Sequence, residues 1–189
     1  MNQRKFCRSL AAILFISAPI AAETSLHHDA HVHGTGQLNL AVEGKLLHLE
    51  MTIPGHDIVG FESITSPERE QQVDQAIDRL KQASMWKIPA SAQCKLLSSK
   101  ANHTAEAHHE DDHGHHHDHH DHDSHHDEGK HLNFTVSQVF ECNDPKALTQ
   151  IEAQLFGRFA NSEALKVQAL TDKGQMSATL NRNKPVFRF

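Results

Sequence analysis

The chain has no tyrosine and one tryptophan, and aromatic residues make up only 5% of its 189 positions. Basic residues are also few, 18 lysines and arginines against 24 acidic residues, giving a formal charge of −6. Nucleic-acid binding needs a basic face for phosphate and aromatic rings for stacking, so these two shortages exclude that class. No hydrophobic run is long enough to span a bilayer, and a mean hydropathy of −0.56 excludes a polytopic membrane protein. A glycine-rich phosphate loop and a nucleophile constellation are also missing, so nothing in the sequence points to catalysis. Cysteine is limited to three copies. Histidine is what the chain has in excess: 19 copies, more than all its lysines and arginines together.

Arg4, Lys5 and Arg8 precede an apolar stretch from Leu10 to Ile16 and a small-residue end, Ala18-Pro19-Ile20-Ala21-Ala22. That pattern predicts a secretory signal peptide over residues 1–22, cleaved after Ala22. The apolar stretch is far shorter than the ~20 residues of a spanning helix, so no membrane insertion is expected after cleavage. The expected location is the periplasm. Removal of the leader takes Cys7 and three positive charges with it, moving the net charge from −6 to −9. Cys94 and Cys142 remain. In an oxidising compartment an even pair favours a disulfide, with free thiols or thiolate ligands beside the histidines as alternatives.

Composition then divides residues 23–189. Residues 23–36 form a His-bearing tail, and residues 37–189 read as a single domain broken by a low-complexity insertion at 99–130. Neither flank is long enough for a core of its own, so the insertion interrupts one domain rather than separating two.

Leu38, Leu40 and Val42 alternate with polar or small residues, as do Leu47, Leu49, Met51 and Ile53. A two-residue Glu43-Gly44 loop sets Leu40 against Leu47 and Leu38 against Leu49, with Gly44 at a positive φ and His48 on the opposite face. Ser66-Pro67 starts a helix whose apolar stripe is Val73, Ala76, Ile77, Leu80 and Ala83. Gln93–Ser98 is a short strand, and a further strand runs from Leu132 through Phe140 to Cys142. Asp144-Pro145 repeats the cap-and-proline signal before Leu148, Ile151, Leu155 and Phe159, predicting a second helix. A last hairpin joins Leu165–Leu170 to Met176–Leu180 through Lys173-Gly174. The expected fold is α+β, a mainly antiparallel sheet with two helices packed on one face, interrupted by a disordered His/Asp-rich loop.

The tract holds His103, His108, His109, His113, His115, His116, His117, His119, His120, His122, His125, His126 and His131, interleaved with nine carboxylates and one basic side chain, Lys130. Neutral imidazole is a ligand for zinc, copper and nickel, and carboxylates can join it or orient the rings. Such a segment predicts several exchanging complexes of similar energy, with capacity ahead of specificity. The H-E-x-x-H match at His109–His113 and the H-x-H-x-D-H match at His117–His122 are discounted, because both need an ordered element to present the ligands and any His/Asp-rich run produces them. A second cluster, His27, His28, His31 and His33, abuts the first strand. In an extended chain His31 and His33 point the same way. A structured site would need further ligands, for which His48, His56, Asp57 and Glu62 are the nearby candidates in sequence.

These features resemble the ZrgA family of periplasmic, zinc-regulated zinc-binding proteins. The resemblance rests on His31-x-His33-Gly34 after the leader, the amphipathic hairpin, Gly60-Phe61-Glu62, and the Cys94/Cys142 pair bracketing the tract, and it covers essentially all of residues 23–189. The family commonly has histidine after Gly-Phe-Glu, where this chain has Ser63. The resemblance implies a soluble accessory that gathers Zn2+ and assists a high-affinity zinc ABC importer through its periplasmic binding protein. Ligand type alone does not separate zinc from nickel or copper, so a general divalent-metal store is an alternative. The substrate-binding component of an importer is another, although such proteins need two lobes and nearly twice the length. A secreted zinc hydrolase is the least supported reading.

Overall fold

The computed structural model describes residues 33–106 and 131–189; the expected leader and the tract residues 107–130 lie outside this range. Nine strands and three helices follow in chain order: β1 (Thr35–Glu43), β2 (Leu46–Pro54), α1 (Gly55–Val59), α2 (Pro67–Leu80), β3 (Trp86–Lys87), β4 (Cys94–Glu106), β5 (His131–Cys142), β6 (Gln150–Ala153), α3 (Leu155–Arg158), β7 (Ala164–Thr171), β8 (Gly174–Asn181) and β9 (Val186–Arg188). Six strands form one sheet in the order β4-β5-β2-β1-β7-β8, and three form a second, β3-β6-β9. Every pair is antiparallel except β1 with β7. The expectation of a mainly antiparallel α+β fold stands in this form, with more sheet and less helix than the sequence suggested.

Alternation builds the large sheet. Leu38, Leu40, Leu47, Leu49, Met51 and Ile53 point to one face and are buried, joined there by Phe134, Val136, Phe140, Leu165 and Val167. Gln37, Asn39, Glu50 and Thr52 point to the other face and are exposed. The buried face is covered by α2, through Val73, Ala76 and Leu80, and by the small sheet, through Trp86, Ile151, Ala153 and Phe187. A buried amide joins the layers. Trp86 Nε1 donates to Gln138 Oε1 at 2.8 Å, while Gln138 Nε2 donates to the carbonyls of Lys81 and Gln82 at the end of α2.

The cap signal at α2 is realised: Ser66 Oγ accepts from the Arg69 N–H, and Pro67 is the first helical residue. Ala83 falls beyond the helix end and is exposed. The second predicted helix is not formed. Asp144-Pro145 opens only a 3-10 turn, Ile151 lies on β6, and helix is confined to Leu155–Arg158. Leu148, Ile151, Leu155 and Phe159 are all buried nonetheless. Their three- and four-residue spacing arises from different elements: Leu148 ends a 3-10 turn, Ile151 lies on β6, Leu155 opens α3 and Phe159 caps it.

The first hairpin has the predicted faces, and both hairpins differ from expectation in register. Leu40 stands opposite Leu49 and Leu38 opposite Met51, and the turn is Gly44-Lys45. Gly44 has φ 60°, which suits the first central position of a two-residue hairpin turn. At the other end Thr171 faces Gly174, so the turn is Asp172-Lys173 rather than Lys173-Gly174. A shift of two in the sum of paired numbers keeps every side chain on its face, which is why periodicity cannot detect it.

Two boundaries also move. β1 starts at Thr35, inside the expected tail, and β4 runs to Glu106, well into the expected insertion. β4 and β5 pair from Cys94↔Cys142 to Glu106↔His131. Cys94 and Cys142 form a disulfide. It closes the end of this hairpin opposite to the tract, so a full ladder, not the disulfide, holds the tract's base together.

Candidate metal centre

The end of β2 is where ordered histidines and carboxylates meet. Pro54 closes β2 and α1 follows at once, crossing β5 so closely that a Cβ on Gly55 would lie 2.7 Å from the Leu132 carbonyl oxygen. Only glycine fits there, and the crossing sets His56 and Asp57 beside the start of β5. The chain then turns through Gly60-Phe61-Glu62, and the Glu62 carbonyl accepts from the Leu132 N–H at 2.8 Å. Arg69 lies over the Phe61 ring at 4.8 Å and donates to the Ser63 carbonyl, which fixes this loop against α2.

Glu62 thereby reaches two histidines from distant parts of the chain. Its Oε1 is 2.5 Å from His33 Nε2, and its Oε2 is 2.9 Å from His131 Nδ1. The His33 and His56 rings lie 5.1 Å apart, centroid to centroid. All four side chains are partly open to solvent, at 53% for His33, 37% for His131, 31% for Glu62 and 41% for His56, so an ion could reach them from outside.

Beneath them lies Asp57, 1% exposed. Its Oδ1 accepts from the Gly34 N–H at 2.7 Å and sits 4.0 Å from His56 Nδ1. The Gly34 carbonyl in turn accepts from the N–H groups of Glu163 and Ala164, so the residue next to His33 is held from both sides. Burial pushes the Asp57 carboxyl above its ordinary range, against the pull of the Gly34 N–H and of the His56 and His33 imidazoles; Glu163 adds to the rise. Asp57 Oδ2 and His56 Nδ1 are buried with no hydrogen-bond partner. Buried polar atoms are normally satisfied, and an adjacent unsatisfied pair suits a site that a cation completes.

Among the described residues, no three His, Cys, Asp or Glu side chains are closed around a point that could hold a metal ion as they stand. The donor types fit zinc, which takes imidazole nitrogen and carboxylate oxygen. In this arrangement the Glu62 carboxylate spans the two imidazoles that an ion would bridge. Ion binding would then be an exchange, releasing protons and freeing Glu62 to ligate or to orient a ring.

Of the histidines singled out in the sequence, His33 and His131 come together here. His103 is exposed on β4 opposite Phe134, three ladder positions from His131. His27, His28, His31 and the tract histidines from His108 to His126 lie outside the described residues, as do both discounted catalytic patterns. His48 is mid-strand on the outer face, opposite Ala41 and Val139, and does not join the cluster. Sequence proximity had pointed to His56, Asp57 and Glu62 only as candidates. The buried position of Asp57 under His33 had no signal in the pattern, because it depends on the parallel pairing of β1 with β7.

The chain belongs to the ZrgA family: the family model described as ZrgA family zinc uptake protein matches residues 30–189. A comparison with curated proteins finds no match. The match associates the chain with zinc uptake. Among the described residues no helix is long and apolar enough to cross a membrane.

Proposed function

We propose that the chain is a periplasmic zinc-binding accessory that captures Zn2+ and supports its uptake through a high-affinity ABC importer, without catalysis of its own. The observation that carries this reading is the Glu62 carboxylate joining His33 to His131 above the unsatisfied atoms of His56 and Asp57. His33 is two residues from His31, and His131 is the last histidine of the tract. The ordered cluster thus stands where both His-bearing segments enter the fold. The tract supplies many weak ligands and raises the local zinc supply; the cluster supplies one position with fixed geometry. The disulfide suits an oxidising compartment.

The test is a Zn2+ titration of residues 23–189 followed by imidazole 15N resonances. The His33, His56 and His131 signals are expected to move together during the titration, and the H33A/H131A double variant is expected to weaken binding at the cluster at least tenfold while the tract still binds. If none of the three signals responds at zinc saturation, the cluster is not a zinc site. Growth under chelation tests uptake: a deletion strain with an unimpaired phenotype, even beside a weakened importer, would count against the accessory role.

A further inference from the structure

The strand order leaves the large sheet with two edges, β4 and β8. An edge presents a row of unpaired N–H and C=O groups, and proteins blunt it with charge, proline, bulges or a covering element. β4 has three of these protections. It carries Lys95 and Lys100, its register is broken between Leu96 and Ser98, and α2 packs against it, with Ser99 Oγ donating to the Lys81 carbonyl at 2.8 Å.

β8 has none. Its eight residues, GQMSATLN, include no charge and no proline, and its register with β7 is unbroken from Ala164↔Asn181 to Thr171↔Gly174. Beyond β7, the backbone pairing of β8 among the described residues is one bridge at its last residue, Asn181↔Lys184. Gln175, Ser177 and Thr179 are exposed on the outer face, while Met176 and Ala178 are only half-buried on the core face. On the neighbouring strand, Leu170 is 51% exposed.

We propose that the β8 edge is a self-association surface, on which a second copy of this chain adds its own β8 in antiparallel register across a two-fold axis. The uncharged strand argues for this occupant. Two-fold pairing sets a strand against its own reverse, and β8 contains no charge that could meet a like charge. Side-chain alternation allows only registers that keep core-facing residues opposite core-facing residues. An axis through Ser177 does so: Met176 then faces Ala178 of the second copy on the core side, and Gln175 faces Thr179 on the outer side. The apolar pair gains cover and the polar pairs stay wet. An interface of one strand pair is small, so the association is weak and concentration-dependent.

Sedimentation equilibrium on residues 23–189, in EDTA so that metal cannot bridge two chains, tests this from micromolar to near-millimolar concentration. A monomer–dimer equilibrium is expected. Ser177 is exposed, so S177K and S177E should fold as the parent does, by circular dichroism, and each should weaken dimerisation at least tenfold. An equimolar mixture of the two should restore dimers, because opposite charges then face each other. A parent that stays monomeric throughout, or that dimerises only when zinc is added, overturns the proposal. Dimers that survive both substitutions, or a mixture that fails to restore them, overturn it equally by placing the interface elsewhere.

Discussion

Asp57 illustrates how one side chain can serve position and charge at once. Its Oδ1 is the acceptor for a buried backbone N–H at Gly34, next to His33, while its second oxygen has no partner. D57A removes the acceptor and should lower unfolding free energy by about 1–3 kcal/mol, the cost of an unsatisfied buried donor. D57N keeps an acceptor oxygen and loses a buried charge, so urea denaturation of the metal-free protein should find it within about 1 kcal/mol of the parent. Equal losses in the two variants would mean that the charge, not the acceptor, holds Gly34. The pH dependence has a definite sign. Burial raises the folded-state pKa, so the folded chain holds this proton more tightly than the unfolded one, and the ionised form costs stability. As pH falls through that raised pKa, the parent should gain stability relative to D57N. Gln138 is a second buried polar anchor. Q138L leaves the Trp86 N–H and two carbonyls near the end of α2 without their partner, and should cost roughly 1–3 kcal/mol with no change in zinc binding.

Among the elements, the β4–β5 hairpin carries the most consequence. Its disulfide closes a sequence separation of 48, which chain entropy values at roughly 4 kcal/mol. C94S/C142S should therefore lower the urea midpoint, by the equivalent of about 2–4 kcal/mol, and leave zinc stoichiometry unchanged. A loss of zinc binding in that variant under conditions where it is folded would tie the site to the disulfide. How much of this was legible beforehand differs between elements. The α2 start was readable because Ser66-Pro67 is local chemistry, and the sheet faces were readable because Leu38, Leu40, Leu47 and Leu49 alternate. The hairpin registers were not, since moving the turn from Glu43-Gly44 to Gly44-Lys45 leaves every face intact. Residues 144–159 looked helical because buried positions fall three or four apart; tertiary pairing of Gln150–Ala153 with β3 and β9 overrides that pattern. At the site, histidine identity marked His33 and His131, but Glu62 as their shared partner required the α1 crossing against Leu132.

At the scale of the whole molecule, the tract and the sheet are separable. β4 and β5 remain paired up to Glu106↔His131, so the two ends of residues 107–130 already stand opposite each other across a ladder. A two-residue Asn-Gly turn can close such a pair, and replacing the tract by it shortens the connection between β4 and β5; closing a flexible connection costs about 0.6 kcal/mol more for each doubling of its length. The replacement should melt at or slightly above the temperature of the parent. It removes eleven histidines, His108 to His126, while keeping His33, His56, Glu62 and His131. Equilibrium dialysis should then find stoichiometry falling from several zinc ions to about one, the residual ion depending on His33 and His131. Because protons compete for imidazole, both proteins should bind more weakly between about pH 7 and pH 5, and the parent should lose more ions over that range. Should the parent bind at most one ion, as tightly as the replacement does, collection by the tract would be refuted and the ordered cluster would be left to account for zinc uptake alone.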